Sequence, residues 1–313
     1  MRVLVSSEPD DEAGAKLLAE LPEVEVIRYD PTAEQLDAEQ RTAHVLIPPY
    51  RGSHRPIRLL TQLPDLVHVQ LLTAGADEWS GDVPADIQLA TARGAVVGPV
   101  SEWVLSAALT LYRQWPNLVR YQDTGTWAHR RPGTAAETVA GKKVLIIGAG
   151  AIGMGVADKL APFDAQTTLV ASTARGPVHS PDALPDLLPQ HQIVVLTLPL
   201  TAETTGMVDA KFLAAMPDDA LLINASRGRI VDTAALVNEL STGRIRAALD
   251  VTDPEPLPAD HPLWTCPGVI ISPHMARTVP GTNRLCYAVA AEQIKEVIFG
   301  GTPTNVVTTR RTK

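Results

Sequence analysis

The sequence predicts an α/β fold with two open parallel-sheet domains, and three observations lead to this prediction. Short runs rich in Val, Ile and Leu alternate along the chain with segments whose apolar residues recur at helical spacing. One of these runs is followed by glycines spaced as at a tight strand-to-helix turn. At 313 residues a single core would be unusually large, so division into two domains is expected.

The composition excludes several functional classes. The chain is 45% hydrophobic and 20% charged, and its formal net charge of -8 argues against nucleic acid or an anionic membrane as a partner. No apolar run approaches the ~20 residues of a membrane span, and we expect the first residues to form a strand rather than a signal peptide. The two cysteines, Cys266 and Cys286, lack metal-site spacing and fit a reducing compartment. We therefore expect a cytoplasmic protein that binds no metal.

The N-terminal part of the chain has the pattern of one parallel-sheet unit. Its expected strands are residues 2–6, 24–29, 45–47, 67–71 and 87–90, and its expected helices are residues 10–21 and 55–63.

Small residues follow the fourth of these strands, at the end where open parallel sheets bind ligands. The backbone N–H groups of Ala74, Gly75 and Ala76 could face a carboxylate there. An ordinary glycine turn explains the same residues nearly as well, and this alternative stays open.

A long helical pattern covers residues 101–121 and comes before the second unit. Ser101 is its expected N-cap, and Pro116 is expected to kink or end it. A polar loop over residues 124–140 then leads into the next strand.

The glycines Gly148, Gly150 and Gly153 follow an apolar strand at residues 144–147 and precede a helical pattern at residues 154–160. The first glycine makes the tight turn, the second lets the backbone approach a pyrophosphate, and the third lets the helix pack closely on the strand. The first N–H groups of that helix favour a phosphate. This order of elements predicts a dinucleotide-binding site.

The alternation then continues through a second, larger unit. Its further expected strands are residues 167–171, 193–198, 220–224, 247–250 and 269–272, and its expected helices include residues 209–216 and 232–242. A last helix is expected at about residues 283–299, followed by a loose tail at residues 308–313.

The residues after the second strand of the dinucleotide unit favour NADP over NAD. A carboxylate there would bind the adenosine ribose and select NAD, but the sequence has none at this point. It has Ser172, Thr173 and Arg175 instead, whose hydroxyls and guanidinium suit a 2′-phosphate. A polar surface loop with an incidental arginine is the alternative.

Three later strands each end in side chains that carry chemistry. They are Arg227 after one strand, Asp250 with Glu255 after the next, and His274 after the last. Since the carboxyl ends of parallel strands lie at one edge of a sheet, these groups can form a hydride-transfer site. The histidine would act as acid and base, a carboxylate would favour its charged form, and the arginine would hold the substrate.

Four motifs accompany the glycine loop: Leu198-Pro199-Leu200-Thr201 through Thr204, Asn224-Ala225-Ser226-Arg227-Gly228, Asp250-Val251 with Glu255-Pro256, and Ser272-Pro273-His274. In this combination they resemble the D-isomer-specific 2-hydroxyacid dehydrogenase family. The resemblance covers roughly residues 141–276. It implies reversible reduction of a 2-keto acid to a D-2-hydroxy acid with a nicotinamide cofactor.

The resemblance also implies an architecture. It consists of two Rossmann-like or flavodoxin-like domains with a cleft between them. The substrate domain would be discontinuous, residues 1–97 plus about 281–313, and the dinucleotide-binding domain would be residues 98–280. The resemblance further implies a homodimer built partly on the helix that begins near Ser101.

Site residues follow by position in the motifs. Arg227, Glu255 and His274 are the expected catalytic residues. The expected substrate contacts are Ala74, Gly75, Ala76, Arg227 and His274. The expected cofactor contacts are Gly148, Gly150, Ala151, Ile152, Gly153, Ser172, Thr173, Arg175, Leu198, Pro199, Thr204, Ala225, Ser226, Asp250 and Ala276.

The substrate stays open because the sequence departs from the family where the substrate would bind. Met275-Ala276-Arg277 replaces the usual small residues, and Arg277 either selects a second anionic group or points to solvent. Candidates range from glyoxylate or hydroxypyruvate to larger 2-keto acids. The alternatives are a formate- or phosphite-type dehydrogenase and a cofactor-sensing scaffold that binds proteins.

Overall fold

The computed structural model describes residues 1–50, 56–131 and 133–307. Arg55 and the tail at residues 308–313, on which two of the predictions fall, lie outside these residues. The β-strands are β1 Arg2–Ser6, β2 Glu25–Tyr29, β3 Val45–Ile47, β4 His68–Gln70, β5 Gln88–Ala90, β6 Lys143–Ile147, β7 Gln166–Val170, β8 Ile193–Leu196, β9 Leu221–Asn224, β10 Arg246–Leu249, β11 Val269–Ile271 and β12 Val306–Val307.

The α-helices alternate with these strands, and short 3₁₀ turns join several of the elements. They are α1 Glu12–Ala19, α2 Val97–Tyr112, α3 Trp115–Asp123, α4 Ala151–Leu160, α5 Leu184–Leu187, α6 Ala210–Ala215, α7 Thr233–Ser241 and α8 Thr282–Ile298.

The described chain divides into two compact units, residues 1–96 with those from 279 onward, and residues 97–278. The first unit contains a six-stranded sheet in the order β12-β5-β4-β3-β1-β2. All its neighbours are parallel except β12, which pairs antiparallel with β5. The second unit contains a parallel sheet in the order β11-β10-β9-β8-β6-β7. The prediction of two α/β parallel-sheet units is confirmed.

The sheet of the second unit is buried on both faces, as parallel sheets usually are. Successive residues of β6 point to opposite sides, so Leu145 and Ile147 enter one apolar core while Val144 and Ile146 enter the other. Strand β7 lies on one side of β6 and strand β8 on the other, so the chain crosses β6 between β7 and β8. The carboxyl ends of β6 and β8 therefore form the topological switch point at which such sheets bind ligands.

A buried polar contact holds the N- and C-terminal segments of the first unit together. Asp11 is fully buried and accepts a hydrogen bond of 2.9 Å from the hydroxyl of Tyr287 on α8. Gly14 of α1 makes room for the Tyr287 ring, since a Cβ at Gly14 would lie 2.1 Å from it. Burial raises the pKa of the Asp11 carboxyl above its usual value, although the bonds from Tyr287, Ser6 and Tyr50 partly oppose this.

The predicted helix at residues 101–121 differs from the observed one in two ways. The expectation of an N-cap at Ser101 is wrong, because α2 already begins at Val97 and the Ser101 hydroxyl donates back to the Val97 carbonyl. A serine at an interior helix position can make this bond as readily as it caps. The interruption expected from Pro116 is present, but the break comes at Gln114, whose φ is 58°.

The segment Pro56–Gln62 forms a 3₁₀ helix rather than the expected α-helix. It is only seven residues long, and Pro64 follows it and disfavours helical backbone in the residue before it. Strand β12 was not predicted from the sequence, because two residues are too few to show a periodic pattern.

Candidate active site

Three neighbouring strands of the second unit bring the expected catalytic side chains to one edge of the sheet. Strands β9, β10 and β11 lie side by side, and all three run in the same direction. Arg227 follows β9, Glu255 lies in the loop after β10, and His274 follows β11. The order of the strands is therefore the reason that residues distant in sequence can meet.

His274 and Glu255 are in direct contact. Nδ1 of His274 lies 2.7 Å from Oε1 of Glu255, and both side chains are partly open to solvent, with 40% and 43% of their surface exposed. With the carboxyl ionised, Nδ1 carries the hydrogen and donates it, because an ionised carboxylate can only accept. This bond leaves Nε2 as the nitrogen that can exchange a proton with another molecule.

The backbone of His274 has an uncommon conformation, with φ of 53°. Histidine tolerates this left-handed region better than most residues, but the conformation still needs support from its surroundings. The His274 N–H donates 2.7 Å to the Asp250 carbonyl and 3.0 Å to the Ser272 carbonyl. These bonds join the turn at His274 to the end of β10.

The carboxylate of Asp250 holds the rest of this turn. Only 3% of Asp250 is exposed, and its Oδ1 accepts from the Ser272 hydroxyl at 2.6 Å and from the Met275 N–H at 2.8 Å. The Ala276 N–H donates to Oδ1 and Oδ2, both at 3.0 Å. Asp250 thus fixes the residues on both sides of His274. This role of Asp250 was not predicted from the sequence, because no local pattern links residues so far apart.

Arg227 reaches the same region through a turn that only glycine allows. A Cβ at Gly228 would lie 1.9 Å from the Thr252 carbonyl oxygen, so the two loops can touch only without a side chain at this position. Nη1 of Arg227 donates 2.8 Å to the Ser226 carbonyl, and Nδ2 of Asn224 donates 3.0 Å to the Arg227 carbonyl. The arginine loop and the loop of Glu255 are therefore packed together.

The electrostatics of Glu255 reflect both of its neighbours. Burial alone would raise the pKa of this carboxyl, but the hydrogen bond and charge of His274, the Thr252 backbone and the charge of Arg227 together lower it below its usual 4.5. Glu255 is therefore ionised at neutral pH and provides a fixed negative charge beside the imidazole.

The glycine loop fits a dinucleotide. A Cβ at Gly148, whose φ is +115°, would lie 2.5 Å from the Thr197 backbone, and one at Gly153 would lie 2.0 Å from the Gly148 carbonyl oxygen. At Gly150, in contrast, no atom of the described residues, apart from its own neighbours in the chain, lies within 4 Å of the position that a Cβ would take. Gly150 thus presents open backbone directly before α4, where Ala151 and Ile152 begin the helix and a phosphate can approach.

The chain after β7 makes a tight hairpin that carries the residues expected to select NADP. Arg175 and Val178 exchange backbone hydrogen bonds of 3.0 and 2.9 Å, and His179 pairs with Val170 beside the end of β7. Nη2 of Arg175 donates 3.0 Å to the carbonyl of Ala149 in the glycine loop. The guanidinium therefore lies against the dinucleotide loop, while Ser172 and Thr173 are exposed on the same hairpin.

The remaining expected cofactor contacts lie in the loops that follow β8, β9, β10 and β11. The Ser226 hydroxyl donates to the Leu198 carbonyl, and the Thr204 hydroxyl donates 2.7 Å to the Pro199 carbonyl, so both hydroxyls brace the loops from within. Ala225 follows β9 and is half-buried. Asp250 and Ala276 are buried and bonded to each other, as described above.

Other expected residues lie elsewhere. Ala74, Gly75 and Ala76 follow β4 in the first unit, where the Thr73 hydroxyl donates 2.7 Å to the Gly75 carbonyl. Arg277 is half-buried in the turn of His274.

The cysteines and the acidic residues form no metal site in the part of the chain that the structure describes. Cys266 is half-buried and Cys286 is buried, and neither forms a disulfide there. Within residues 1–50, 56–131 and 133–307, no cluster of three His, Cys, Asp or Glu side chains could hold a metal ion. The same residues include no helix that is both long and apolar enough to cross a membrane.

Comparison with known proteins identifies the family. The sequence model described as D-isomer specific 2-hydroxyacid dehydrogenase, NAD binding domain, matches residues 105–276. The chain belongs to the D-isomer-specific 2-hydroxyacid dehydrogenase family.

Individual members of the family are similar over different shares of their length. An uncharacterised protein from Corynebacterium melassecola is 34% identical over 239 residues, which are 69% of this chain and 75% of that protein. The human glyoxylate reductase/hydroxypyruvate reductase is 32% identical over 207 residues, 62% of each chain. A crystal structure of a D-isomer specific 2-hydroxyacid dehydrogenase from Xanthobacter autotrophicus Py2, in complex with NADPH and MES, superimposes with a TM-score of 0.85. It is 28% identical and covers 99% of this chain and 98% of its own.

The bonds to Asp250 predict a large effect on stability. We expect Asp250→Ala to lower the free energy of unfolding by about 3 kcal/mol, because it leaves buried donors without their charged acceptor. Asp253→Ala, a matched change three residues along at an exposed carboxylate, should alter it by less than about 0.5 kcal/mol. Urea denaturation followed by circular dichroism measures both values. Equal losses in the two variants would contradict the role given to Asp250.

Proposed function

We propose that the protein reversibly reduces a 2-keto acid to a D-2-hydroxy acid, with NADPH preferred over NADH. The observation that carries this proposal is the 2.7 Å contact between Nδ1 of His274 and Glu255 at strand ends that also hold Arg227. Membership in the family supports the type of reaction. When bound, the reduced dinucleotide supplies the hydride. The side chains of this chain supply the proton and the groups that hold the substrate.

His274 is the acid and base of the proposed reaction. Its Nδ1–H is held by Glu255, so Nε2 is the atom that gives a proton to the keto oxygen as the carbonyl carbon is reduced. In the opposite direction Nε2 takes the proton from the hydroxyl group. In both directions the ionised Glu255 holds the ring through Nδ1, so that Nε2 stays the nitrogen that exchanges the proton.

Arg227 holds and polarises the substrate in this proposal. A guanidinium can bind a carboxylate through two parallel hydrogen bonds and still lie beside the neighbouring carbonyl. The negative charge that develops on the keto oxygen would then form beside a fixed positive charge. The charge of Arg227 already acts on Glu255, which supports a position of the guanidinium near the reacting groups.

The proposed preference for NADPH rests on the hairpin after β7. Arg175 lies against the glycine loop through its bond to Ala149, and the described hairpin residues at positions 172–175 include no carboxylate to repel a 2′-phosphate. Ser172 and Thr173 would add hydroxyl donors to the same phosphate. The crystal structure of the Xanthobacter relative contains NADPH, which is in keeping with this preference.

The proposed substrates are small 2-keto acids of the glyoxylate or hydroxypyruvate type, with larger 2-keto acids as the alternative. The name of the human relative supports the smaller ones.

We further propose a cytoplasmic homodimer that associates partly through α2. The half-exposed Trp103, Leu105 and Leu109 along this helix support such an interface, and the free cysteines support a reducing compartment.

Replacing the proposed acid tests the mechanism. We expect His274→Ala to lower kcat about 10²–10⁴-fold with the fold intact, because the developing alkoxide loses its proton donor. The measurement is NADPH oxidation followed by absorbance with glyoxylate, hydroxypyruvate, pyruvate, phenylpyruvate and a branched 2-keto acid as substrates.

His129→Ala, at an exposed histidine of the loop over residues 124–140, is the matched control and should leave kcat unchanged. Unchanged turnover in His274→Ala would remove this residue from the proton transfer. Tight binding of NADPH without turnover of any acid in the wild type would favour the cofactor-sensing alternative.

The cofactor preference is tested at the hairpin. We expect Arg175→Ala to raise the KM for NADPH about tenfold or more and to leave the KM for NADH unchanged, because only the 2′-phosphate loses a charge-assisted bond. Lys211→Ala, at an exposed cation on α6, should change neither value. An undiminished preference for NADPH in Arg175→Ala would show that another group binds the 2′-phosphate.

A further inference from the structure

A concave site lies in the second unit, beside α7. It is an open groove of about 400 Å³, lined by one face of α7, by Asp253 in the loop after β10, and by the turn at His261 and Pro262. This volume is within the range of small-molecule sites. We call it the α7 groove.

Three polar side chains that line the α7 groove have bonding capacity left over. Within the described residues, the carboxylate of Asp253 and the carboxamide of Asn238 have no hydrogen bond or ion pair. His261 uses only Nδ1, which accepts from the Leu263 N–H at 3.2 Å. Because Nδ1 is an acceptor here, Nε2 carries the hydrogen of the neutral ring and is free to donate it.

Three apolar residues and Thr233 complete the lining. Ala234 and Val237 lie on α7, and Pro262 begins the turn opposite them. The Thr233 hydroxyl donates 2.8 Å to the Asp253 carbonyl, which ties the start of α7 to the loop that carries the carboxylate. The groove therefore combines short apolar walls with one negative charge, one amide and one N–H donor.

These groups define the chemistry of a ligand. We propose that the α7 groove binds a small molecule that carries a primary ammonium group next to an oxygen acceptor, as in an amino alcohol. Asp253 would accept from the ammonium group, Nε2–H of His261 would donate to the oxygen, and Asn238 can bond to either. Two carbon atoms between the ammonium and the oxygen would contact Ala234, Val237 and Pro262.

The α7 groove is distinct from the contact between His274 and Glu255 but shares a loop with it. Asp253 lies two residues before Glu255, and neither His274 nor Glu255 lines the groove. The inference does not rest on the proposed dehydrogenase function, so it is tested by binding alone.

Ethanolamine is the probe, and its binding is measured by the change in ¹H–¹⁵N amide signals of the full chain on titration. We expect saturable shifts around α7 and the turn at His261. Asp253→Asn should weaken binding about tenfold, because one charge-assisted hydrogen bond is lost. Ala234→Phe, which fills the groove from an exposed helical position, should remove binding, while Ala214→Phe, at an exposed position of α6, should bind as the wild type does.

Two further probes separate the two halves of the ligand. Ethylamine keeps the ammonium group without the oxygen, ethylene glycol keeps the oxygens without the charge, and both should bind more weakly than ethanolamine. Absence of saturable binding in the wild type would overturn the proposal, and so would equal affinity in Asp253→Asn or in Ala234→Phe. Tighter binding of MgCl₂ at the same residues would overturn the proposed ligand class.

Discussion

The buried carboxylate of Asp250 is the interaction on which the candidate active site depends. It accepts hydrogen bonds from the side chain or backbone of three residues in the turn that contains His274, at 2.6 to 3.0 Å. A turn with a non-glycine residue at positive φ is stable only where its surroundings hold it. Bonds to a charged acceptor in a buried site are strong enough to do so, since each contributes about 1.5–3 kcal/mol.

The bonds to Asp250 affect both the position of the His274 side chain and the ionisation of Glu255. With the turn fixed, Nδ1 of His274 contacts Glu255, and this leaves Nε2 as the ring nitrogen that can exchange a proton. The pKa of Glu255 in turn stays below its usual value because His274, the Thr252 backbone and Arg227 together outweigh the effect of burial. The parallel order of β9, β10 and β11 brings these groups to one edge, and Gly228 allows their loops to touch. Sheet topology thus positions the site, and one buried acid sets its fine geometry.

Much of the fold and part of the site could be predicted from the sequence because their signals are local. Apolar runs reveal buried strands, and the spacing of Gly148, Gly150 and Gly153 reveals a tight strand-to-helix turn. Elements without a periodic pattern were missed, as with the two-residue β12, and Ser101 was misread because a serine near a helix start can also bond inside the helix. The role of Asp250 depends on residues more than twenty positions away, so no local pattern contains it. The same holds for the bond between Arg175 and Ala149.

The ionisation of Glu255 tests whether the buried Asp250 holds His274 in place. Its pKa can be followed by ¹³C NMR of the side-chain carboxyl in the wild type and in Asp250→Ala. We expect a value below 4.5 in the wild type and a rise in the variant, because a released turn no longer holds His274 against the partly buried carboxyl. An equally lowered pKa in folded Asp250→Ala would contradict it, since the contact between His274 and Glu255 would then form without the buried acid.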